Sequence, residues 1–283
     1  MRIPRILSQR IAFTLLGLAT FLTVAAILLI VGYIVIQGVG ALSPEFLTAM
    51  PRDGMRAGGI WPAIVGTLYL TLGTALIAVP IGLAAAIYLS EYASDTPATR
   101  MIRIAIVNLA GIPSVVYGLF GFALFVLFLG LGSSIAAACL TLAIMTVPVI
   151  ISTAEEALRA VPQSFRLVSI SMGGTRWQTI QRVVLPQALP GILTGVILGL
   201  ERAAGETAPI LFTGAAFFLP RLPGSIFDET MALPYHLFVI STQVPGMPVQ
   251  IQYGTALVLL IFVLLMNLVA TLIRSYYRRK RQW

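Results

Sequence analysis

Residues 104–154 read IAIVNLAGIPSVVYGLFGFALFVLFLGLGSSIAAACLTLAIMTVPVIISTA, a run from Ile104 to Ala154 without one charged side chain. A helix needs about 20 apolar residues to cross the hydrocarbon core of a bilayer, so this run is too long for one crossing and long enough for two. Gly130-Leu131-Gly132-Ser133-Ser134 interrupts it near the middle with residues that favour a tight turn. The run therefore predicts two spans, over 104–129 and 134–152, joined by a hairpin.

The same test applied outward finds four more spans, over 11–36, 60–90, 189–219 and 254–273. The result is an all-α polytopic membrane protein of six transmembrane helices in one domain, residues 1–283. Composition agrees, with 58% hydrophobic residues, 10% charged residues and a mean hydropathy of +0.97. Arg2, Arg5 and Arg10 before the first span resemble the start of a secretory signal, but its apolar run exceeds the roughly 7 to 15 residues of a signal core. It is read as a helix.

Charge sets the expected orientation. With both termini cytoplasmic, fourteen of the 18 basic residues fall in internal segments, three (Arg52, Arg56 and Arg221) fall outside, and Arg202 lies within a span. That is the asymmetry of the positive-inside rule. The net charge of +8 and the tail Arg274-Ser275-Tyr276-Tyr277-Arg278-Arg279-Lys280-Arg281 then suit anionic lipid headgroups better than a nucleic acid. Trp61, Tyr88, Tyr92, Tyr253, Tyr276 and Tyr277 sit near predicted helix ends, where aromatic rings with polar tips anchor at the interface. Cys139 and His236 each stand alone, which gives no basis for a disulfide framework or a metal set, and His236 reads as a polar loop residue.

Two segments depart from plain spans. Residues 153–188 concentrate Glu155, Glu156, Arg159, Arg166, Arg176 and Arg182 between two crossings, and this internal loop is expected to meet a cytoplasmic partner. Pro162 suits the start and Gly173-Gly174 the end of a short helix over 163–172. Phe165, Val168 and Met172 share one of its faces, which either packs on the protein's own helix ends or serves as a knob for another subunit. The external segment 220–253 is rich in proline, and Leu237-Phe238-Val239-Ile240 within it is too short to span, giving a re-entrant or interfacial element.

The costliest residues lie in Gly199-Leu200-Glu201-Arg202-Ala203-Ala204-Gly205-Glu206-Thr207-Ala208-Pro209. Insertion scales charge about 2.5 to 3.5 kcal/mol for each Arg or acid at mid-helix, so such groups normally face protein or a water-filled path. At about 1.5 Å per residue, Glu201 and Arg202 sit roughly 15 Å into the fifth span, near the bilayer midplane. Gly191, Gly195, Gly199, Arg202, Ala203 and Glu206 share one face, small enough to admit another backbone. Arg202 and Glu206, one turn apart, either neutralise each other and lock helices together, or present the guanidinium to an anion with Glu206 tempering its grip. Glu201 points elsewhere, toward another helix. Pro80, Pro113 and Pro148 predict kinks in three other spans.

These residues carry a resemblance. Val161-Pro162, Ser164-Phe165-Arg166, Gly173, Thr175 to Ile180, Val183 and Leu185-Pro186 resemble the cytoplasmic signature loop of bacterial ABC importer permeases, except that Leu167, Val168 and Ser169 stand where that family has Glu-Ala-Ala. Arg202 to Pro209, together with Ile112 to Phe120 and Ala232-Leu233-Pro234, is similar to segments of the phosphate permeases of that family. The resemblance implies the type I importer permease fold in the bacterial inner membrane. It implies a second permease subunit, a pair of ATPase subunits that bind ATP and Mg, and a periplasmic phosphate-binding protein. It also implies a coupling role for Phe165, Leu167, Val168, Ser169, Met172, Gly173, Leu185 and Pro186, and a substrate path at Arg202, Glu206 and Glu201. The chain has no Gly-Lys-Ser or Gly-Lys-Thr phosphate loop, so no cofactor is expected within it. Rival readings are a permease for sulfate, molybdate or phosphonate, an intramembrane enzyme using Glu201 and Glu206, and a passive anion channel.

Overall fold

A computed structural model describes residues 5–279. Of the basic residues counted above, Arg2, Lys280 and Arg281 lie outside it, as do the side chains of Arg5, Arg278 and Arg279 and of the aromatic Tyr277. In chain order the helices are α1 (Arg5–Gly38), α2 (Pro44–Thr48), α3 (Trp61–Ile87), α4 (Pro97–Ala110), α5 (Ser114–Gly121), α6 (Ile135–Arg159), α7 (Gln163–Ser171), α8 (Arg176–Thr179), α9 (Leu185–Gly205), α10 (Ala208–Thr213), α11 (Leu233–Thr242) and α12 (Val249–Arg279). Wider π-helical turns extend α3 over Tyr88–Tyr92 and α5 over Phe122–Phe128, and join α8 to α9 over Ile180–Val184. A two-stranded ribbon pairs Pro51–Arg52 with Ala57–Gly58.

Five helical stretches are long and apolar enough to span by themselves: 9–41, 61–92, 135–159, 176–205 and 249–276. α6 is the central one, burying residues such as Leu142, Met145 and Ile150 along its length against α3 and α9. Its contact with α9 explains the glycine stripe. A Cβ added at Gly191 would lie 2.6 Å from the Ala157 Cβ, one at Gly195 would overlap the Thr153 side chain, and one at Gly199 would lie 3.3 Å from Ile150 Cγ1. The small face is thus filled from within the chain, by antiparallel packing of α9 on α6.

Two expected single spans are broken. The one expected over 104–129 is instead α4 and α5 at 99° to each other, separated at 111–113. Pro113 has no N–H, and in a continuous helix its ring would strike the carbonyl four residues back, on Leu109. That carbonyl instead accepts the Tyr117 hydroxyl at 2.8 Å. The span expected over 189–219 likewise stops at Gly205, passes through an extended Glu206 (φ −75°, ψ 134°), and resumes as the six-residue α10. Pro209 bears the same relation to the Gly205 carbonyl. Pro80 and Pro148 lie inside unbroken helices.

The register on α6 places this second break. Gly199 packs beside Ile150 and Thr146, while the far end of α10 reaches the start of α6 through a Ser134 N–H donated to the Thr213 carbonyl at 2.9 Å. The α9–α10 junction therefore falls about halfway along α6.

The 220–253 segment is packed onto the helices rather than lying loose. Residues 226 and 228 cap the first N–H groups of α6 through their carbonyls, and α11 buries Leu233, Pro234, Tyr235, His236, Val239 and Ile240 in the cluster at that end of the bundle. The Leu233 N–H is donated to Thr67 Oγ1 of α3 at 2.8 Å. His236 is thus a core residue, 2% exposed, with Nδ1 lacking a partner among the described residues. Burial holds its pKa at about 4, below the ordinary 6.5. Below pH about 6.5 the unfolded chain takes up a proton that the folded chain refuses, so stability should fall between pH 6.5 and 4 by about 3 kcal/mol and level off beneath. Melting curves in detergent across that range, compared with His236→Leu, check this. An equal acid slope in the variant would count against it.

Candidate functional site

Arg202 occupies the last turn of α9 and Glu206 the residue that ends it, with Nε and Oε1 3.3 Å apart. The glutamate side chain is 16% exposed and the arginine 36%. Among the described residues this is the guanidinium's one protein partner, and it engages Nε alone. Both terminal amino groups remain open, and they are the pair that grips an oxyanion in a fork. The broken third span comes to the same place. Gly118 of α5 packs so closely on the start of α10 that an added Cβ would lie 3.0 Å from the Ala208 carbonyl and Pro209 Cα, and the charge of Arg202 reaches neighbouring Tyr117. The start of α10, Gly118 of α5 and a half-open guanidinium thus come together beside α6.

Glu201 is turned away. It lines a groove of about 490 Å³ between α9 and α12 together with Leu200, Phe262, Leu265, Met266 and Val269, and its Oε1 is buried there without a partner among the described residues. Glu206 is absent from that groove, so the two carboxylates do not converge as an acid–base pair would.

At the other end of α9 lies the charged loop. α7 is shaped by Pro162 at its start and by Gly173, whose φ of +84° suits only a residue without Cβ, at its end. Phe165 packs against the cluster formed by α3, α6 and α9, whereas Leu167, Val168, Ile170 and Met172 are 53–85% exposed. Ser164, Phe165, Val168, Ser169, Met172, Gly174, Gln178 and Arg182 line an open, mostly apolar cavity of about 600 Å³. Phe165, Val168 and Met172 thus share the face read from the sequence, which lines this cavity, with Phe165 at its inner edge and Val168 and Met172 more exposed. Leu185 packs on the inner cluster and Pro186 stands in the first turn of α9. Ser169 is held by a 2.8 Å hydrogen bond between its hydroxyl and that of Thr179.

Sequence reasoning missed the ion pairs beneath this loop. Arg103 of α4 reaches Glu155 at 2.8 Å and the Leu89 carbonyl at 2.9 Å, Arg159 reaches Glu155 at 2.9 Å, and Arg166 pairs with Glu91. Arg176 donates to the Glu91 carbonyl and lies over the ring of Tyr92, which the sequence assigns to the membrane interface. Arg159 and Glu155 are one helical turn apart, but Arg103–Glu155, Arg166–Glu91 and Arg176–Glu91 join residues 52, 75 and 85 positions apart, beyond the reach of helical spacing.

Comparison with known proteins agrees with this geometry. The family described as binding-protein-dependent transport system inner membrane component matches residues 78–282. The probable ABC transporter permease protein YqgI of Bacillus subtilis is 34% identical, over 94% of this chain and 95% of that protein. Phosphate transport system permease protein PstA 1 of Mycobacterium tuberculosis (strain H37Rv) is 37% identical, over 80% of this chain and 73% of that protein. Among solved structures, a bacterial ABC transporter importing the polysaccharide alginate superposes with a TM-score of 0.67 at 14% identity, covering 95% of this chain and 98% of that one. The MetNI methionine transporter gives 0.59 at 19% identity, covering 77% and 94%. At such identities the structural likeness speaks to the fold alone, which is that of ABC importer permeases. With the sequence matches it settles the family: this chain belongs to the binding-protein-dependent transport system inner membrane components.

Proposed function

We propose that the chain is the permease subunit of an ATP-driven importer of inorganic phosphate, supplying half of the translocation path. The observation that carries this reading is Arg202, held by Glu206 through Nε only, with its fork open at a break halfway along the bundle. Several permeases named for phosphate transport, 33–38% identical over about four fifths of this chain, support the choice of anion. In this reading Arg202 grips the oxyanion, Glu206 positions the guanidinium and limits how tightly the anion stays, and Glu201 lies beside the path rather than in it. Transport needs release as well as capture, and a fixed carboxylate beside the site supplies it.

The chain lies in the bacterial inner membrane with both termini cytoplasmic. It pairs with a second permease subunit, receives phosphate from a periplasmic binding protein, and rests on two ATPase subunits that bind ATP and Mg. The exposed apolar face of Leu167, Val168 and Met172, with Ser169 and Gly173, docks the ATPase. An apolar docking face takes the place of the family's Glu-Ala-Ala.

Two measurements test the reading. Phosphate uptake by the reconstituted complex should require ATP and resist competition by excess sulfate or molybdate; inhibition by either would reassign the anion. A photo-crosslinker at Ser169 should capture the ATPase, and no adduct in any nucleotide state would overturn the docking assignment.

A further inference from the structure

We propose that the Arg166–Glu91 pair is the link through which movement of α7 reaches the second and fourth spans. This rests on the importer reading above and adds to it a positioning residue on each side of the link. Arg166 is 13% exposed and Glu91 8%. The guanidinium donates from Nε to Glu91 Oε2 at 3.1 Å and from Nη2 to Oε1 at 2.7 Å, a bidentate pair. It also donates from Nη1 to the Val161 carbonyl at 2.7 Å and from Nη2 to the Leu158 carbonyl at 2.9 Å. One side chain of α7 thus ties together the end of α3 and the end of α6.

The rest of α7 is held far less firmly. No residue of α7 is fully buried, and only Phe165 packs inward on the cluster of α3, α6 and α9. A cavity of about 610 Å³, lined by Ser90, Glu91, Arg159, Arg166, Arg176 and Ile180 among others, underlies it. A helix seated over a cavity transmits a push poorly through packing. It transmits one well through a short, forked, charge-assisted strut.

The strut is also well founded at its far end. The C-terminal carbonyls of a helix carry its negative dipole end, and those closing α3 receive two further guanidiniums, Arg103 at Leu89 and Arg176 at Glu91. Ser90 donates its hydroxyl to Glu91 Oε1 at 3.1 Å, steadying the carboxylate. Force applied at Arg166 therefore reaches a braced point, and the same guanidinium pulls on α6, against which α9, the helix that carries Arg202, is packed.

The test reads coupling rather than folding. The complete complex is reconstituted in vesicles, and phosphate moved per ATP hydrolysed is measured. Glu91→Gln and Arg166→Lys, which retain shape or charge but lose the forked ion pair, should lower that ratio at least about fivefold while the ATPase still co-purifies and hydrolyses. The exchange Glu91→Arg with Arg166→Glu should recover part of the ratio. An unchanged ratio in both single variants overturns the proposal, as does an equal fall in uptake and hydrolysis that the exchange does not relieve. A wild-type complex without ATP-driven uptake would instead remove the importer reading, so the two failures are told apart.

Discussion

Arg202→Ala should reduce ATP-driven phosphate uptake about 100-fold or more, with the chain still present in the membrane and still bound to its ATPase. A forked, charge-assisted contact to an oxyanion is worth about 3 kcal/mol, which converts to roughly that factor. The variant also leaves Glu206, 16% exposed, without its cation, so a carboxylate replaces the guanidinium as the charge the anion meets. Like charges at such range repel, which adds to the loss. Arg202→Lys keeps the positive charge without the planar fork and should fall between the two. Radiolabelled phosphate uptake, set against the amount of chain in the membrane, checks all three. Uptake by Arg202→Ala at the wild-type rate would take the guanidinium out of the path.

The second large effect is structural. Gly195→Leu should prevent accumulation of folded chain, because even a Cβ at this position overlaps the Thr153 side chain and α9 cannot retreat without losing Gly191 and Gly199 as well. Overpacking costs about 1 to 3 kcal/mol per misfit in a dense core, and a leucine adds three more carbons to an already overlapping one. Gly195→Ala should be milder, and Thr153→Ala should relieve part of it by removing the nearest atoms on α6. Membrane yield and melting temperature in detergent report both. Full yield of Gly195→Leu would mean that α9 does not ride on α6 as described.

What could be read in advance divides along physical lines. Apolar runs report where a chain can cross a bilayer, since transfer of a long segment is a sum over its residues, and that is why runs such as 61–92 and 249–276 stand out. Where a run stops being one helix is a local matter of single atoms. Pro113 and Pro209 stand at breaks while Pro80 and Pro148 lie inside unbroken helices, and at the first break the Leu109 carbonyl is taken up by the Tyr117 hydroxyl, a contact no local pattern encodes. Arg202 and Glu206 are legible as neighbours because they are four residues apart. That Glu206 ends the helix rather than continuing it is not, and this leaves it bonded to Nε alone. Glu91 carries no sequence signal at all, because its partners Arg166 and Arg176 lie 75 and 85 residues away. His236 looks solitary for the same reason. Its burial comes from packing of α11 on the core, which no periodicity around residue 236 encodes.

α1 stands apart from every packed cluster. Of the described residues of α1 only Gly38, at its end, is buried within the chain, and the helix meets α12 where Tyr33 touches Tyr253 edge to face and Gly38 abuts the backbone of that tyrosine. A helix that hides so little against its own chain owes its place in the bilayer chiefly to lipid transfer. It can therefore be laid into the membrane as soon as it leaves the ribosome, while α3 and α9, which pack on α6, must await that helix.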